Sequence, residues 1–277
     1  MKRALEEESD TGKDNVTASK KAKYPVCIFP TKPRHRFDGK FPYFRQPKEI
    51  GKLSIDLQRA FHNDKSQLKF YIQPDNLNHT DFICWRGLLT KLLCTPYENR
   101  EGWMIAVTLF NGTYYLCEFE TEQKKQQKEQ RTERQDEMTY WGWKFEQYIT
   151  SDTVNGKPKT DIPVNNCEGF CTVVRSRLDQ HSIGEVDAVD PSINGETQYV
   201  EFKTTREIDN PRQNTNFKRF KLIKWWAQSF LVGIPQIICG FRDDDGIVHR
   251  LKKFNVQEIP NTVTCCAFIR MGSSCKY

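Results

Sequence analysis

The sequence predicts an α+β fold, and three observations support this prediction. Two hairpin signals, at 103–120 and 236–251, indicate antiparallel strands, because in each a turn separates two strand-like segments. Other segments carry apolar residues three and four positions apart, which indicates helices. Hydrophobic residues make up 37% of the 277-residue chain and aromatic residues 12%, which is enough to build a core and argues against wholesale disorder.

The first hairpin is the strongest local signal in the sequence. Apolar residues alternate over 103–109, Asn111-Gly112 supplies a two-residue turn, and 113–120 returns as the second strand. Before this hairpin, we expect a short helix over 53–61. A second helix is expected over 81–94, where four leucines fall on one helical face.

The middle of the chain contains three segments of different amino-acid composition. The segment 121–137 is almost wholly polar, so we expect either a solvated helix or a mobile loop. The aromatic-rich segment 138–149 predicts a helix. Glycine, proline and asparagine residues then predict a loop over 151–169.

The C-terminal half combines strands with one long helix. Strands are expected around 171–177, 184–189 and 199–204. A helix is expected over 216–232, where Gly-x-Pro ends it, and the second hairpin follows at 236–251.

Four residues on two of these strands carry the predicted chemistry. Residues two apart on a strand face the same side, so Glu185 projects with Asp187, and Glu201 projects with Lys203. A turn at 191–195 folds the two strands side by side. Three carboxylates and one ammonium group are therefore expected on one patch.

Such a patch repels itself unless a cation neutralises it. Mg²⁺ and Mn²⁺ prefer oxygen ligands, and two such ions can activate water and stabilise the leaving oxygen during attack on phosphorus. Lys203 would orient the water or offset charge on the phosphate. Thirteen residues separate Asp187 from Glu201, and the D-(13 residues)-E-x-K arrangement resembles the PD-(D/E)xK nuclease core.

Two other interpretations of these residues are open. One is an edge strand that carries solvated charges. The other is an EF-hand calcium loop, because Asp190, Ser192, Asn194-Gly195 and Glu201 have its spacing. Strand-like flanks and Pro191 fit that loop poorly, since an EF-hand requires helices on both sides.

The helix over 216–232 adds a polar stripe. Lys221, Lys224 and Gln228 are spaced three and four apart, which suits contact with a phosphodiester chain. A solvated helix face explains the same stripe. The expected buried face consists of Phe220, Ile223, Ala227 and Phe230.

Charge and cysteine usage indicate where the protein works. The net charge of +6 is compatible with an anionic partner. The ten cysteines include no C-x-x-C pair, and no signal peptide or apolar run long enough for a membrane span is present, so we expect reduced thiols. Residues 1–24 predict a disordered polar tail. Its basic cluster at Lys20, Lys21 and Lys23 is either a nuclear import signal or a solvated part of the tail. On the first interpretation, we expect a nuclear protein that also occurs in the cytoplasm.

Taken together, the motifs resemble the decapping exoribonuclease family (DXO). The resemblance runs from about Phe41 to Phe254, and the tryptophan-rich string is its most specific part. In chain order, the motifs are Trp85-Arg86-Gly87, Gly142-Trp143-Lys144-Phe145-Glu146, Glu185-Val186-Asp187, Glu201-Phe202-Lys203, Lys224-Trp225-Trp226-Ala227-Gln228-Ser229-Phe230-Leu231 and Gly240-Phe241-Arg242.

The resemblance implies two mixed β-sheets flanked by helices around a PD-(D/E)xK-like core. It implies hydrolysis at RNA 5′ ends: removal of incomplete caps and NAD caps, pyrophosphohydrolase action on triphosphate ends, and 5′–3′ exoribonuclease activity. It also implies two Mg²⁺ or Mn²⁺ ions and an exoribonuclease partner protein. No membrane partner is expected.

The resemblance further implies a role for each matching residue. The metal ligands would be Glu146, Glu185, Asp187, Glu201 and the carbonyl group of Phe202. The residues that contact the scissile phosphate or the water would be Lys203 and Gln228. The residues that line the RNA path would be Trp85, Arg86 and Gly87. The further residues that touch the substrate would be Arg59, Cys171 and Glu185.

The chain also departs from the family pattern. We expect one catalytic domain over 25–277 that is shortened near 72–84 and after 254, with a shorter loop after His181. Because the surrounding structure could be incomplete, a catalytically weak RNA-binding or regulatory protein is one alternative. A nuclease that acts on DNA is another, since many proteins with this core cleave DNA.

Overall fold

Two β-sheets organise the computed structural model, which describes residues 47–55, 61–62, 80–98, 102–164, 169–175, 180–191 and 198–263. The strands are β1 Lys48–Ile55, β2 Phe61–His62, β3 Phe82–Trp85, β4 Met104–Phe110, β5 Thr113–Phe119, β6 Gly169–Arg175, β7 Gln180–Val186, β8 Ala188–Asp190, β9 Gln198–Arg206, β10 Gln236–Arg242 and β11 Val248–Asn255. The larger sheet has the order β2-β1-β6-β7-β3-β5-β4, and the smaller has the order β11-β10-β9-β8.

Both sheets are mixed, as predicted. In the larger sheet, β3 runs parallel to both β5 and β7, and the other neighbours are antiparallel. In the smaller sheet, β9 and β10 are parallel, whereas β8 and β11 run antiparallel to their neighbours. The α+β fold class is therefore confirmed.

Helices flank the sheets. They are α1 Arg86–Cys94, a 3₁₀ turn Thr95–Tyr97, α2 Glu122–Glu129, α3 Glu133–Ile149, α4 Pro211–Asn216, a π-helical turn Phe217–Leu222 and α5 Ile223–Phe230. Within the described part of the chain, no helix is both long and apolar enough to cross a membrane.

The hairpin prediction is confirmed. Phe110 pairs with Thr113 across a two-residue turn, and both turn residues have positive φ, 47° for Asn111 and 81° for Gly112. Asparagine and glycine tolerate this left-handed conformation, which matches the turn to the twist of β4 and β5. The second hairpin, formed by β10 and β11, is also confirmed.

The helix predicted over 53–61 is wrong where the structure describes it. Leu53 lies in β1, opposite Cys171 of β6, and Ile55 pairs with Gly169. Apolar spacing over so short a segment fits a strand as well as a helix, and here pairing with β6 decides the outcome. Residues 56–60 and the predicted tail at 1–24 lie outside the described residues.

The long C-terminal helical region begins earlier than predicted. The Asn210 side chain accepts a hydrogen bond from the Gln213 N–H at 2.9 Å, and Pro211 occupies the first helical turn. Both features mark a helix start in the sequence. The π-helical turn then changes the phase of the side chains before α5 begins.

The chain passes directly from one sheet to the other at Asp187. β7 ends at Val186 in the larger sheet, and β8 begins at Ala188 in the smaller sheet, where it pairs with β9. The main buried core lies beneath the smaller sheet. Its residues are Phe217, Leu222, Ile223, Trp225, Ile237, Cys239, Phe241, Val256, Ile259 and Val263.

Candidate active site

Glu201 lies at the centre of the candidate site. Its side chain is only 1% exposed, and both carboxylate oxygens are engaged. Arg86 Nη1 donates to Oε2 at 2.9 Å, and Lys203 Nζ donates to Oε1 at 2.5 Å. Burial disfavours the charged carboxyl, but the charges of Lys203 and Arg86 outweigh this effect and hold the pKa of Glu201 below its ordinary value.

Asp187 is anchored by the backbone of the neighbouring strand. Its Oδ2 accepts a hydrogen bond from the Phe202 N–H at 2.6 Å. Burial, reinforced by the negative charge of Glu201, raises the pKa of the Asp187 carboxyl to about 8. The Phe202 side chain faces the other way and is buried, as the alternation of β9 predicts.

Glu146 reaches the same site from α3. Its helix is fixed by Phe145, whose ring packs edge-on against Phe202 with the ring centroids 6.2 Å apart. Gly240 permits this approach, because a Cβ there would lie 2.8 Å from Phe145 Cε2. Burial, with smaller contributions from Glu201 and Glu185, raises the pKa of Glu146 to about 7, and Lys203 opposes the shift.

Glu185 belongs to the larger sheet and is exposed. The prediction that it shares one continuous strand with Asp187 is wrong, because Asp187 is the link between the two sheets. Its charge nevertheless acts on Glu146. It also acts on the paired residue Cys171, where burial first and Glu185 second raise the thiol pKa to about 12. The structure therefore brings all four predicted acids and Lys203 into one electrostatic cluster.

The donor set suits a hard divalent cation. Four carboxylates share this site with Lys203 and Arg86, and burial, together with the negative charge of neighbouring acids, raises the pKa of Glu146 and Asp187. In the described residues, however, no three Asp, Glu, His or Cys side chains are arranged as a ligand set. Both oxygens of Glu201 and one oxygen of Asp187 accept hydrogen bonds within the protein. The chemistry of the four acids nevertheless fits a metal, because carboxylate oxygens are the ligands that Mg²⁺ and Mn²⁺ prefer.

The residues predicted along the RNA path have different surroundings. Trp85 is 44% exposed, and the space around Gly87 is open, both at the start of α1. Cys171 is 1% exposed, so its side chain is not presented to a substrate. Gln228 is half-buried on α5, which lies beside α1. Arg59 lies outside the described residues.

The predicted polar stripe does not form one cationic face. Lys221 Nζ donates to Thr205 Oγ1 at 3.0 Å, whereas Lys224 Nζ donates to Glu98 Oε2 at 2.6 Å. The two lysines diverge because Lys221 lies in the π-helical turn and Lys224 lies in α5. Part of the predicted buried face is also different. Ile223 and Ala227 are buried as expected, but Phe220 is only half-buried, and Phe217 and Leu222 are buried instead.

Sequence reasoning missed the contact between Arg86 and Glu201. The two residues are 115 positions apart, and no local pattern links them. Of the alternatives, the EF-hand loop does not fit. Asp190 and Glu201 lie on paired antiparallel strands rather than between helices, and Glu201 contacts two cationic side chains.

Known proteins match this arrangement over most of the chain. The family model described as RAI1 like PD-(D/E)XK nuclease matches residues 75–268. The "Decapping and exoribonuclease protein" of Xenopus laevis is 37% identical over 82% of this chain and 72% of its own length. The human protein of the same name is 38% identical over 83% of this chain and 71% of its own.

A solved structure agrees with the described fold. The crystal structure of Candida albicans Rai1 in complex with pU5-Mn²⁺ has a TM-score of 0.64 and 26% sequence identity. The match covers 78% of this chain and 73% of that chain. From the family match, the identity to its relatives and the shared fold, we conclude that the chain belongs to the RAI1-like PD-(D/E)XK nuclease family.

Proposed function

We propose that this chain is a metal-dependent hydrolase of RNA 5′ ends. It would remove incomplete caps and NAD caps, act as a 5′ pyrophosphohydrolase and degrade RNA as a 5′–3′ exoribonuclease, in 5′-end quality control. The names of its relatives, decapping and exoribonuclease proteins, support this assignment. The single observation that carries it is the convergence of Glu146, Glu185, Asp187 and Glu201 around Lys203.

The acids in this proposal hold two Mg²⁺ or Mn²⁺ ions, together with the Phe202 carbonyl. When bound, such ions activate water and offset the charge of the phosphate. The Candida albicans relative was crystallised with Mn²⁺ and pU5, which supports both the metal class and an RNA ligand. Lys203 is held 2.5 Å from Glu201, where its ammonium group can stabilise negative charge that develops on the phosphate.

The start of α1 offers a place for the RNA backbone. Trp85 and Gly87 are exposed there, and the first turn contains no acidic residue that would repel a phosphate. Free N–H groups at a helix N-terminus attract anions. Gln228, on the neighbouring α5, completes the set that we assign to substrate.

A panel of RNA 5′ ends tests the function. The purified chain is incubated with Mg²⁺ or Mn²⁺ and RNA that carries a GpppN cap, an NAD cap or a triphosphate. We expect cap or pyrophosphate release from at least one of them, and a loss of about 100-fold or more in Asp187→Asn. Folded protein without product from any end would refute the proposal. Faster cleavage of matched single-stranded DNA would favour a DNA nuclease.

We also propose that the protein is nuclear, with some in the cytoplasm. The basic cluster at Lys20, Lys21 and Lys23 supports this location. A fluorescent fusion whose three lysines are replaced by alanine should lose its nuclear enrichment. Unchanged distribution would count against the import signal.

A further inference from the structure

We propose that Arg86 is the exchangeable counter-ion of Glu201: it holds this carboxylate in the metal-free protein and transfers to a substrate phosphate when a divalent cation binds. This inference rests on the proposed function, because it assumes that Glu201 is a metal ligand. It assigns Arg86 two successive partners, so that metal binding and phosphate binding become coupled.

The first step is how the protein itself neutralises the charge of Glu201. Glu201 and Arg86 are only 1% and 14% exposed, so neither side chain is left to bulk water. A carboxylate buried this deeply requires cationic partners to remain charged. Arg86 and Lys203 meet this need, one at each oxygen, at 2.9 and 2.5 Å.

The second step is competition. Each Glu201 oxygen accepts one hydrogen bond from a cationic side chain and keeps a second lone pair, so a metal ion that uses this carboxylate would lie close to two positive charges. A dication placed beside both side chains would repel them, and this repulsion favours the departure of one. The free energy of metal binding at Glu201 therefore depends on which of the two side chains moves away.

The third step identifies Arg86 as the side chain that leaves. Lys203 stands two residues from Glu201 on the same strand, so its position is tied to the carboxylate. Arg86 belongs to another element and begins α1, next to exposed Trp85 and Gly87. Its stem crosses Gly184, where a Cβ would lie 3.2 Å from Arg86 Cδ. The absence of a side chain at Gly184 therefore gives the arginine stem room to pass to Glu201 from the start of α1.

The fourth step is the new partner. A guanidinium group released at the start of α1 lies beside the helix N-terminus that we assign to the RNA backbone. Arginine binds phosphate through two parallel hydrogen bonds, which an ammonium group cannot reproduce. A bound phosphate would keep Arg86 away from Glu201, and a bound metal would keep Arg86 available for phosphate. The coupling is therefore positive and reciprocal.

Isothermal titration with Mn²⁺ and uridine 5′-monophosphate measures this coupling without turnover, because the nucleotide has no phosphodiester or anhydride bond. In the parent protein, we expect the nucleotide to tighten Mn²⁺ binding about tenfold. In Arg86→Gln, we expect Mn²⁺ alone to bind about tenfold more tightly, with the nucleotide effect reduced to about twofold or less. The charge-matched control is Arg206→Gln, since Arg206 pairs with Asp244 on the surface. It should behave as the parent does.

A second variant keeps the test decisive if Arg86→Gln does not fold. Arg86→Lys preserves the charge, so Mn²⁺ alone should bind within about twofold of the parent, while most of the nucleotide effect should be lost. Weaker Mn²⁺ binding in Arg86→Gln, or parental coupling in Arg86→Lys, would overturn the proposal. The cap panel separates the two ideas: coupling without RNA hydrolysis refutes the function alone, and hydrolysis without coupling refutes only the role of Arg86.

Discussion

The two sheets place their carboxylates in opposite environments. In the smaller sheet, Glu201 is 1% exposed and contacts two cations, whereas Glu185 in the larger sheet is exposed to solvent. The same contrast holds for apolar residues: most of β10 is buried, while all of β4 except Ile105 is exposed. The charge of Glu201 must therefore be neutralised by the protein or by a bound cation, whereas the charge of Glu185 is screened by water.

Replacing the two glutamates should give the largest contrast in stability. Glu201→Gln leaves Arg86 and Lys203 without their buried counter-charge, so we expect a loss of about 3 kcal/mol in the free energy of unfolding. Glu185→Gln should change stability by no more than about 0.5 kcal/mol. Both should reduce RNA 5′-end hydrolysis by about 100-fold or more. Urea unfolding and the cap panel measure these effects, and equal destabilisation by both variants would break the comparison.

The contact between β7 and the turn that follows α5 should also be sensitive to side-chain volume. A Cβ at Gly184 would lie 2.3 Å from Val232 Cγ1, so Gly184→Ala should cost about 2 kcal/mol through overpacking. Adding Val232→Ala should recover part of this loss. Gly142→Ala is the matched control, because its Cβ meets nothing within 4 Å and alanine favours the α3 helix by about 0.5–1 kcal/mol. Similar unfolding midpoints for both glycine variants would contradict this account.

The buried acids should make metal-free stability depend on pH. The pKa of Glu146 is raised from 4.5 to about 7 in the folded protein, so between these values the folded state binds more protons than the unfolded state. The free energy of unfolding should therefore fall as pH rises from 5 to 7, by roughly 1–2 kcal/mol. Urea unfolding in chelator measures the fall, and Mn²⁺ should reduce it by binding the ionised acids. A rise in the free energy of unfolding over this interval would contradict a raised pKa of Glu146 in the folded protein.

Substitution on the exposed edge should have the smallest effect. Val107 is 57% exposed on β4, so Val107→Lys should change the free energy of unfolding by less than about 0.5 kcal/mol. A lysine on an edge strand also hinders pairing with other chains. Light scattering at high concentration should show equal or lower association than in the parent. A loss above about 1 kcal/mol would show that this edge is covered in solution.

Features with a local signal could be predicted from the sequence. The Asn111-Gly112 pair required a tight turn, and the structure has one with positive φ at both residues. The aromatic segment at 138–149 forms the end of α3. The helix begins earlier, at Glu133, where Thr132 and Gln135 form a capping box. Two-residue alternation correctly placed Glu201 with Lys203 and turned Phe202 away.

Features that depend on distant partners could not be predicted. The contact between Arg86 and Glu201 joins α1 to β9, and nothing near either residue indicates it. The divergence of Lys221 from Lys224 results from a π-helical turn, which regular spacing cannot reveal. The exchange of sheets at Asp187 depends on the pairing partner of each strand, and alternation within one strand does not report that partner.

The exchange at Asp187 also affects how this fold can accept insertions. A single residue joins β7 to β8, so the covalent connection between the two sheets passes through the candidate active site with no additional loop residues. One additional amino acid at this joint would turn every later side chain on β8 to the opposite face of the sheet, or it would displace Asp187 from the Phe202 amide. Insertions in segments remote from this joint would leave the positions of Glu185 and Asp187 unchanged, whereas an insertion between them would not.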